Sequence, residues 1–141
     1  MRKRAKEYGL NNVVFHPYAP REHLRQSLLA GDVHAVSLLP RWQGCIVPSK
    51  LAGIFAVGRP VVFVGDERNE IAMWIREADA GYVVPVGDSQ SFVHAVEELR
   101  HDPDLRRRLG QNGRTFYERQ FAPEVCIARM VDLAEQVVHG N

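Results

Sequence analysis

The sequence lacks most of the features that would place it outside the ordinary globular class. Only two of its 141 residues are cysteine, Cys45 and Cys126, and they stand 81 positions apart. They form no disulfide framework, and their spacing is not that of a zinc site. A reducing compartment, most simply the cytoplasm, is therefore expected. No apolar run approaches the ~18 residues that a membrane span needs. The basic opening Met1-Arg2-Lys3-Arg4-Ala5-Lys6 leads into no apolar signal region, so secretion is not expected. Charge bias is missing too. Eighteen Lys and Arg face 17 Asp and Glu, a net charge of +1, which leaves no general attraction to nucleic acid or to an anionic membrane. There is no internal repeat, low-complexity tract or linker. The six histidines are scattered, with no two at a metal-ligand spacing. The glycine spacings of a Walker loop and of a dinucleotide fingerprint are both absent.

What is present is an alternation of short apolar runs and helical stripes, in a chain 45% hydrophobic and 25% charged. That composition and length suit one domain with a real core. Val13-Val14-Phe15 is a short apolar run, read as a strand, and Pro20 to Leu29 reads as a helix with Leu24 and Leu28 on one face. Val33 to Leu39 is the second run. Pro48 to Val57 is an almost wholly apolar helix stopped by Gly58. Val61-Val62-Phe63-Val64 has no polar alternation, as expected of a parallel strand covered on both faces. Ile71, Trp74, Ile75 and Ala78 form the next helical stripe, and Gly81-Tyr82-Val83-Val84 a fourth strand. Asp88 is placed to cap a helix whose Phe92, Val93, Val96 and Leu99 share a face. Two helices follow, Pro103 to about Arg119 and Pro123 to Val138, the second with Cys126, Met130, Leu133 and Val137 in register. Strands separated by single helices predict an α/β, doubly wound parallel sheet with a helical C-terminal extension. The chain opens on a basic helical turn, Met1 to Tyr8, with no strand before it. Residues 1–141 therefore read as a single partial domain that lacks its first strand; the alternative is that the first residues are a disordered tail.

In open α/β sheets ligands bind beyond the carboxyl ends of the strands. Four loops qualify: His16 to Tyr18, Leu39 to Val47, Gly65 to Asn69 and Pro85 to Gln90. The second is the most informative. Pro48 suits the first position of a helix, where no amide hydrogen is needed. Ser49 and Lys50 then fall in the first turn, where free amides and the positive end of the dipole favour an anion. A lysine there works against the dipole unless an anion compensates for it. Lys50 is thus either a phosphate contact or a solvated side chain at a helix start.

The run Gly44-Cys45-Ile46-Val47-Pro48-Ser49-Lys50-Leu51-Ala52-Gly53-Ile54-Phe55-Ala56-Val57-Gly58-Arg59-Pro60-Val61 resembles the donor-binding segment of the retaining, GT-B-fold glycosyltransferase family 4. More narrowly, it resembles a bacterial Pro-Ser-Lys branch of cell-surface polysaccharide pathways. Val14-Phe15-His16-Pro17-Tyr18, Ala30-Gly31-Asp32-Val33, Glu70-Ile71-Ala72, Ala80 to Asp88 and Arg107 to Arg114 follow the same family order. The resemblance covers roughly residues 10 to 135. It implies the C-terminal, nucleotide-sugar-binding domain of a glycosyltransferase, one Rossmann-like half of a GT-B fold. The acceptor-binding N-terminal domain would be missing, and any peripheral membrane contact would come only through the full-length enzyme.

Carried over by position, Ser49 and Lys50 would contact the donor diphosphate, with Pro48 opening their helix. Tyr18 would lie beside the base, and Gln43, Gly44 and Cys45 would face the donor sugar. Glu70 either joins the site or caps its helix. No metal and no cofactor are implied. Many family members carry paired glutamates where this chain has Cys45 and Gly53, so the glutamate expected on the ribose hydroxyls has no counterpart at Gly53. Neutral Gln43 stands where the Pro-Ser-Lys branch often has glutamate. The chain is therefore either the donor half of a transferase or a non-catalytic, vestigial nucleotide-sugar-binding module. A flavodoxin-like domain is the third reading, disfavoured because no acidic cluster ends an early strand.

Four weaker signals have local readings. Asp102-Pro103-Asp104 spells a metal-binding Asp-x-Asp, but between two helices it reads as an N-cap followed by Pro. Arg106-Arg107-Arg108 reads as a solvated helix face. Cys45 has no neighbouring histidine to activate it as a nucleophile. Trp42 and Trp74 read as core or rim aromatics. Finally, a sheet that lacks its first strand leaves an open edge, so self-association is expected.

Overall fold

The computed structural model describes residues 1–38 and 49–140. A short helix α1 (Arg2–Glu7) is followed by irregular chain, a 3-10 turn (Arg21–His23) and α2 (Leu24–Leu29). The alternating part then runs β1 (His34–Ser37), α3 (Ser49–Ala56), β2 (Val61–Val64), α4 (Glu70–Glu77), β3 (Gly81–Val84) and α5 (Ser89–His101). Two long helices finish it, α6 (Pro103–Gln120) and α7 (Pro123–His139). The three strands form one parallel sheet in the order β1-β2-β3, with His34 opposite Val61 and Val61 opposite Gly81.

The unbroken apolar run of β2 is explained by what covers it. Val61 and Phe63 face a cluster built from Leu51, Ile54 and Phe55 of α3, Ile71 and Ile75 of α4, and Phe116 of α6. Val62 faces the other way, into Ala95 and Leu99 of α5 and Leu109 of α6. Both faces of β2 are helix-covered, as the sequence predicts. Each fully buried side chain of this kind contributes about 1.5–3 kcal/mol. An edge-to-face chain of rings, Phe55–Phe116 at 5.9 Å, Phe116–Phe121 at 5.7 Å and Phe121–Trp74 at 4.9 Å, extends the first cluster to its rim.

Helix ends are closed by side chains. Asn69, Asp88 and Asp102 each accept a hydrogen bond from a backbone N–H of the helix they precede. Asp104 pairs with Arg107 at 2.7 Å. The Asp-x-Asp triplet is thus occupied as a helix cap and an ion pair. At the opposite ends arginines donate to helix-end carbonyls: Arg59 to Leu29, Arg114 to Ala56, Arg106 to Leu99 and Arg100, and Arg129 to Arg119 and Gln120. These cations complement helix C-termini. Arg106, Arg107 and Arg108 therefore point to three different partners, the end of α5, Asp104 and Asp79.

Three expectations are corrected. Residues 13–15 form no strand, and Val14 is 72% exposed. Three apolar residues gain β structure only from a hydrogen-bonded neighbour, and no described strand flanks them, so among the described residues the sheet has three strands and not four. On α5, Val93 points outward, and Ala95 takes the core position beside Leu99. On α7, Met130, Leu133 and Val137 are in register but exposed. Only the start of α7 is held, where Cys126 is half-buried with its Sγ 3.8 Å from the Gln120 carbonyl.

Candidate functional site

The parallel sheet aims the carboxyl ends of β1, β2 and β3 at one side of the molecule, where the chain leads into α3, α4 and α5. Ser49 and Lys50 are the first two residues of α3, and both are exposed. The first turn of α3 holds no acidic residue. No ion pair to a described residue engages Lys50. The first-turn amides, which have no acceptor within their own helix, and the Lys50 ammonium therefore give this corner a positive field.

Lys50 is felt by His34 at the start of β1. Burial pushes the His34 imidazole below its ordinary value; a 2.8 Å hydrogen bond with the Leu28 carbonyl works the other way, and Lys50 and Arg59 add to the lowering. A turn further along α3, Gly53 lets α2 come close, since a Cβ there would stand 3.1 Å from Leu28 Cδ1. A side chain at position 53 would press on Leu28, which would have to give by a few tenths of an ångström.

Beside this corner a cavity of about 370 Å3 opens between the β2–α4 and β3–α5 loops, lined by Gly65, Asp66, Glu67, Arg76, Pro85 and Val86 among others. Its floor is braced. Arg76, in the last turn of α4, donates to the Glu67 carbonyl at 3.0 Å and to Glu67 Oε2 at 3.3 Å. Asp66 Oδ1 accepts from the Arg68 N–H at 2.8 Å, and the Asp66 carbonyl accepts from the Asn69 N–H at 3.1 Å. The strand-end rule points to both loops, but not to the reach of Arg76 from the far end of its helix. The only cue in the sequence is an arginine nine residues after a glutamate.

Other residues singled out in the sequence are more dispersed. Glu70 is exposed in the first turn of α4, on the same side of the sheet, where its carboxylate suits the dipole. The cap of that helix is Asn69, a buried side chain whose Oδ1 accepts from the Ile71 N–H at 2.9 Å. Tyr18 is fully exposed in the irregular chain before α2, and no hydrogen bond joins it to α3. Gln43, Gly44, Cys45 and Pro48 lie outside the described residues, as do Pro40 and Trp42.

The sequence profile described as "Glycosyl transferases group 1" matches residues 1–116, from α1 well into α6. The chain belongs to that family. Among its relatives, a lipopolysaccharide core biosynthesis glycosyltransferase of Rhizobium meliloti is 35% identical over 105 residues, which is 74% of this chain and 29% of the relative. An O-antigen chain mannosyltransferase of Escherichia coli is 27% identical over 144 aligned positions, covering 94% of this chain and 35% of the relative. The chain spans between 15% and 35% of the length of the curated relatives it matches. Sucrose-phosphate synthase from Thermosynechococcus elongatus superposes with a TM-score of 0.82 at 23% identity, over 99% of this chain and 34% of that one. The shared fold is one Rossmann-like half of a GT-B architecture. Among the described residues no helix is long and apolar enough to cross a membrane.

Proposed function

We propose that this chain is the C-terminal, donor-binding part of a retaining glycosyltransferase of the Pro-Ser-Lys branch. It would move a sugar from a nucleotide-diphosphate sugar to a hydroxyl acceptor in cell-surface polysaccharide synthesis. The observation that carries the reading is the placement of exposed Ser49 and Lys50 in the first turn of α3, at the carboxyl end of a parallel sheet. The names of the relatives support the pathway class, and the span of about a third of their length supports a partial chain.

The chemistry follows from charge. When the bond from the anomeric carbon to the phosphate oxygen breaks, negative charge grows on the leaving diphosphate. The first-turn amides of α3 and the Lys50 ammonium stand ready to stabilise that charge without reorganising. The Ser49 hydroxyl donates to a phosphate oxygen. On this reading the helix end supplies the positive field, so no metal is required for departure. Tyr18 lies beside the base, Gln43, Gly44 and Cys45 face the sugar, and Glu70 stands at the edge. The acceptor and the rest of the cleft come from residues outside this chain, so the 141-residue protein on its own should transfer no sugar.

A second reading, a nucleotide-sugar-binding module without catalysis, is favoured by one observation. Gly53 holds the position of an expected ribose-binding glutamate, and a Cβ there would press on Leu28 Cδ1 at 3.1 Å. Calorimetric titration with UDP and GDP tests binding for both readings. A transfer assay on an enzyme that joins this chain to an acceptor domain separates them. Absence of any nucleotide binding would overturn both.

A further inference from the structure

A second polar cavity, of about 310 Å3, lies at the opposite end of the sheet. Its walls include Asp32 just before β1, Arg59 just before β2, and Pro103, Arg106, Arg107 and Gln111 of α6. Three guanidinium groups and one carboxylate line it. Each guanidinium carries five N–H donors on three nitrogens, and among the described residues each engages only one nitrogen in hydrogen bonds. Arg59 uses Nη2 on the Leu29 carbonyl, Arg106 uses Nη1 on the end of α5, and Arg107 uses Nη2 on Asp104. The contact of Arg59 with Asp32 is loose, at 3.7 Å. Its Nε is buried with no hydrogen-bond partner.

Three like charges stand around one cavity, only partly offset by Asp32 and Asp104, and their bonds to two helix ends and to Asp104 leave most of their donors unused. Planar forks of N–H groups match the oxygens of a phosphate. The Gln111 amide adds a neutral donor, and the cavity has room for a phosphate with a small organic group attached. We propose that this cavity binds free phosphate or a small soluble phosphomonoester, held by Arg59, Arg106 and Arg107. It is separate from the diphosphate corner. Lys50 begins α3 and Arg59 lies beyond its end, and a helix of this length, eight residues, spans about 12 Å.

The test is a titration of the isotope-labelled chain with inorganic phosphate, and then with glycerol 3-phosphate, at constant ionic strength. The amides of Gly58 and Gln111 and the Nε–H groups of Arg106 and Arg107 should shift saturably in the millimolar range or tighter. Arg59→Gln also removes a contact to α2, so the decisive variants are on the surface. Arg107→Gln and Gln111→Ala should each weaken binding, Arg107→Gln by at least fivefold, while Lys50→Ala leaves it unchanged. Shifts that chloride reproduces, that fail to saturate, that survive Arg107→Gln, or that vanish with Lys50→Ala would each overturn the proposal.

Discussion

Gly110 in α6 lies directly against the carbonyl of Gly58 at the end of α3. A Cβ at position 110 would overlap the Gly58 oxygen and stand 2.9 Å from its carbonyl carbon. Both sides of this contact are backbone, so neither can rotate away. Gly58 is itself fixed in a left-handed conformation, at φ +67°, as the residue that ends α3. In a helix interior alanine is ordinarily favoured over glycine by about 1 kcal/mol. Here Gly110→Ala should instead destabilise the chain by about 1–3 kcal/mol, because α3 and α6 must separate. Urea denaturation checks the sign, with exposed Gln111→Ala as the neutral control. A stabilised Gly110→Ala protein would show that the two helices do not meet as described.

Lys50 should matter to ligand binding and hardly at all to folding, since its side chain is exposed. A hydrogen bond to a charged group contributes about 1.5–3 kcal/mol, so Lys50→Ala should weaken nucleoside diphosphate binding roughly ten- to hundredfold. Calorimetry on the wild type and the variant at matched salt decides it. Equal affinities would remove Lys50 from the site.

The sequence carries the elements whose signal is local. Asp88 and Asp102 can be read as caps because an Asp before a helical stripe satisfies that helix's own amides. Val61 to Val64 can be read as a two-sided strand because the residues themselves report their burial. Signals that depend on a distant partner misled. Residues 13–15 look like a strand but find no neighbour in the sheet. The stripe on α7 looks like a core face but meets nothing among the described residues along most of its length. The loop with the strongest family resemblance, Gln43 to Pro48, lies outside the described residues, so its place in the site is carried by the sequence alone. The Arg59–Arg106–Arg107 cavity was the reverse, since residues 59 and 106 meet only through the fold.

The exposed face of α7 makes its own forecast. Leu133 is 62% exposed and Phe116 9%. Leu133→Lys should leave stability within about 0.5 kcal/mol, as surface changes do. Phe116→Ala should cost about 3–5 kcal/mol, because it empties the centre of the ring cluster. Comparable losses from the two would mean that α7 is covered in solution.

Acid should weaken the fold through His34. Its folded-state pKa lies below the ordinary 6.5, chiefly because burial disfavours the charged ring. Below pH 6.5 the unfolded chain therefore takes up this proton first, and stability falls with pH until the folded ring also protonates. Above that value the residue contributes no pH dependence. Urea midpoints at about pH 7.5 and about pH 5.5 should differ less for His34→Gln than for the wild type. An unchanged difference would assign the acid sensitivity to other groups.

The outer edge of β1 supplies the last prediction. His34 N–H and Leu38 N–H donate inward, to the carbonyls of Pro60 and Val64 on the β2 side. In a parallel ladder alternate residues bond to the same side, so the N–H and C=O groups of Ala35 and Ser37 point away from β2. Both residues are exposed, and no described strand takes up those groups. An unpaired edge is a template for another chain, and natural edges are commonly blunted by lysine. β1 has none, so the chain should self-associate at micromolar concentration. Ala35→Lys should shift it toward monomer at no cost to the ladder, because the Ala35 side chain is exposed and its backbone groups bond to no described strand. Sedimentation of the two proteins reads this directly. A wild type that is monomeric at every concentration would mean that the edge is covered within the chain.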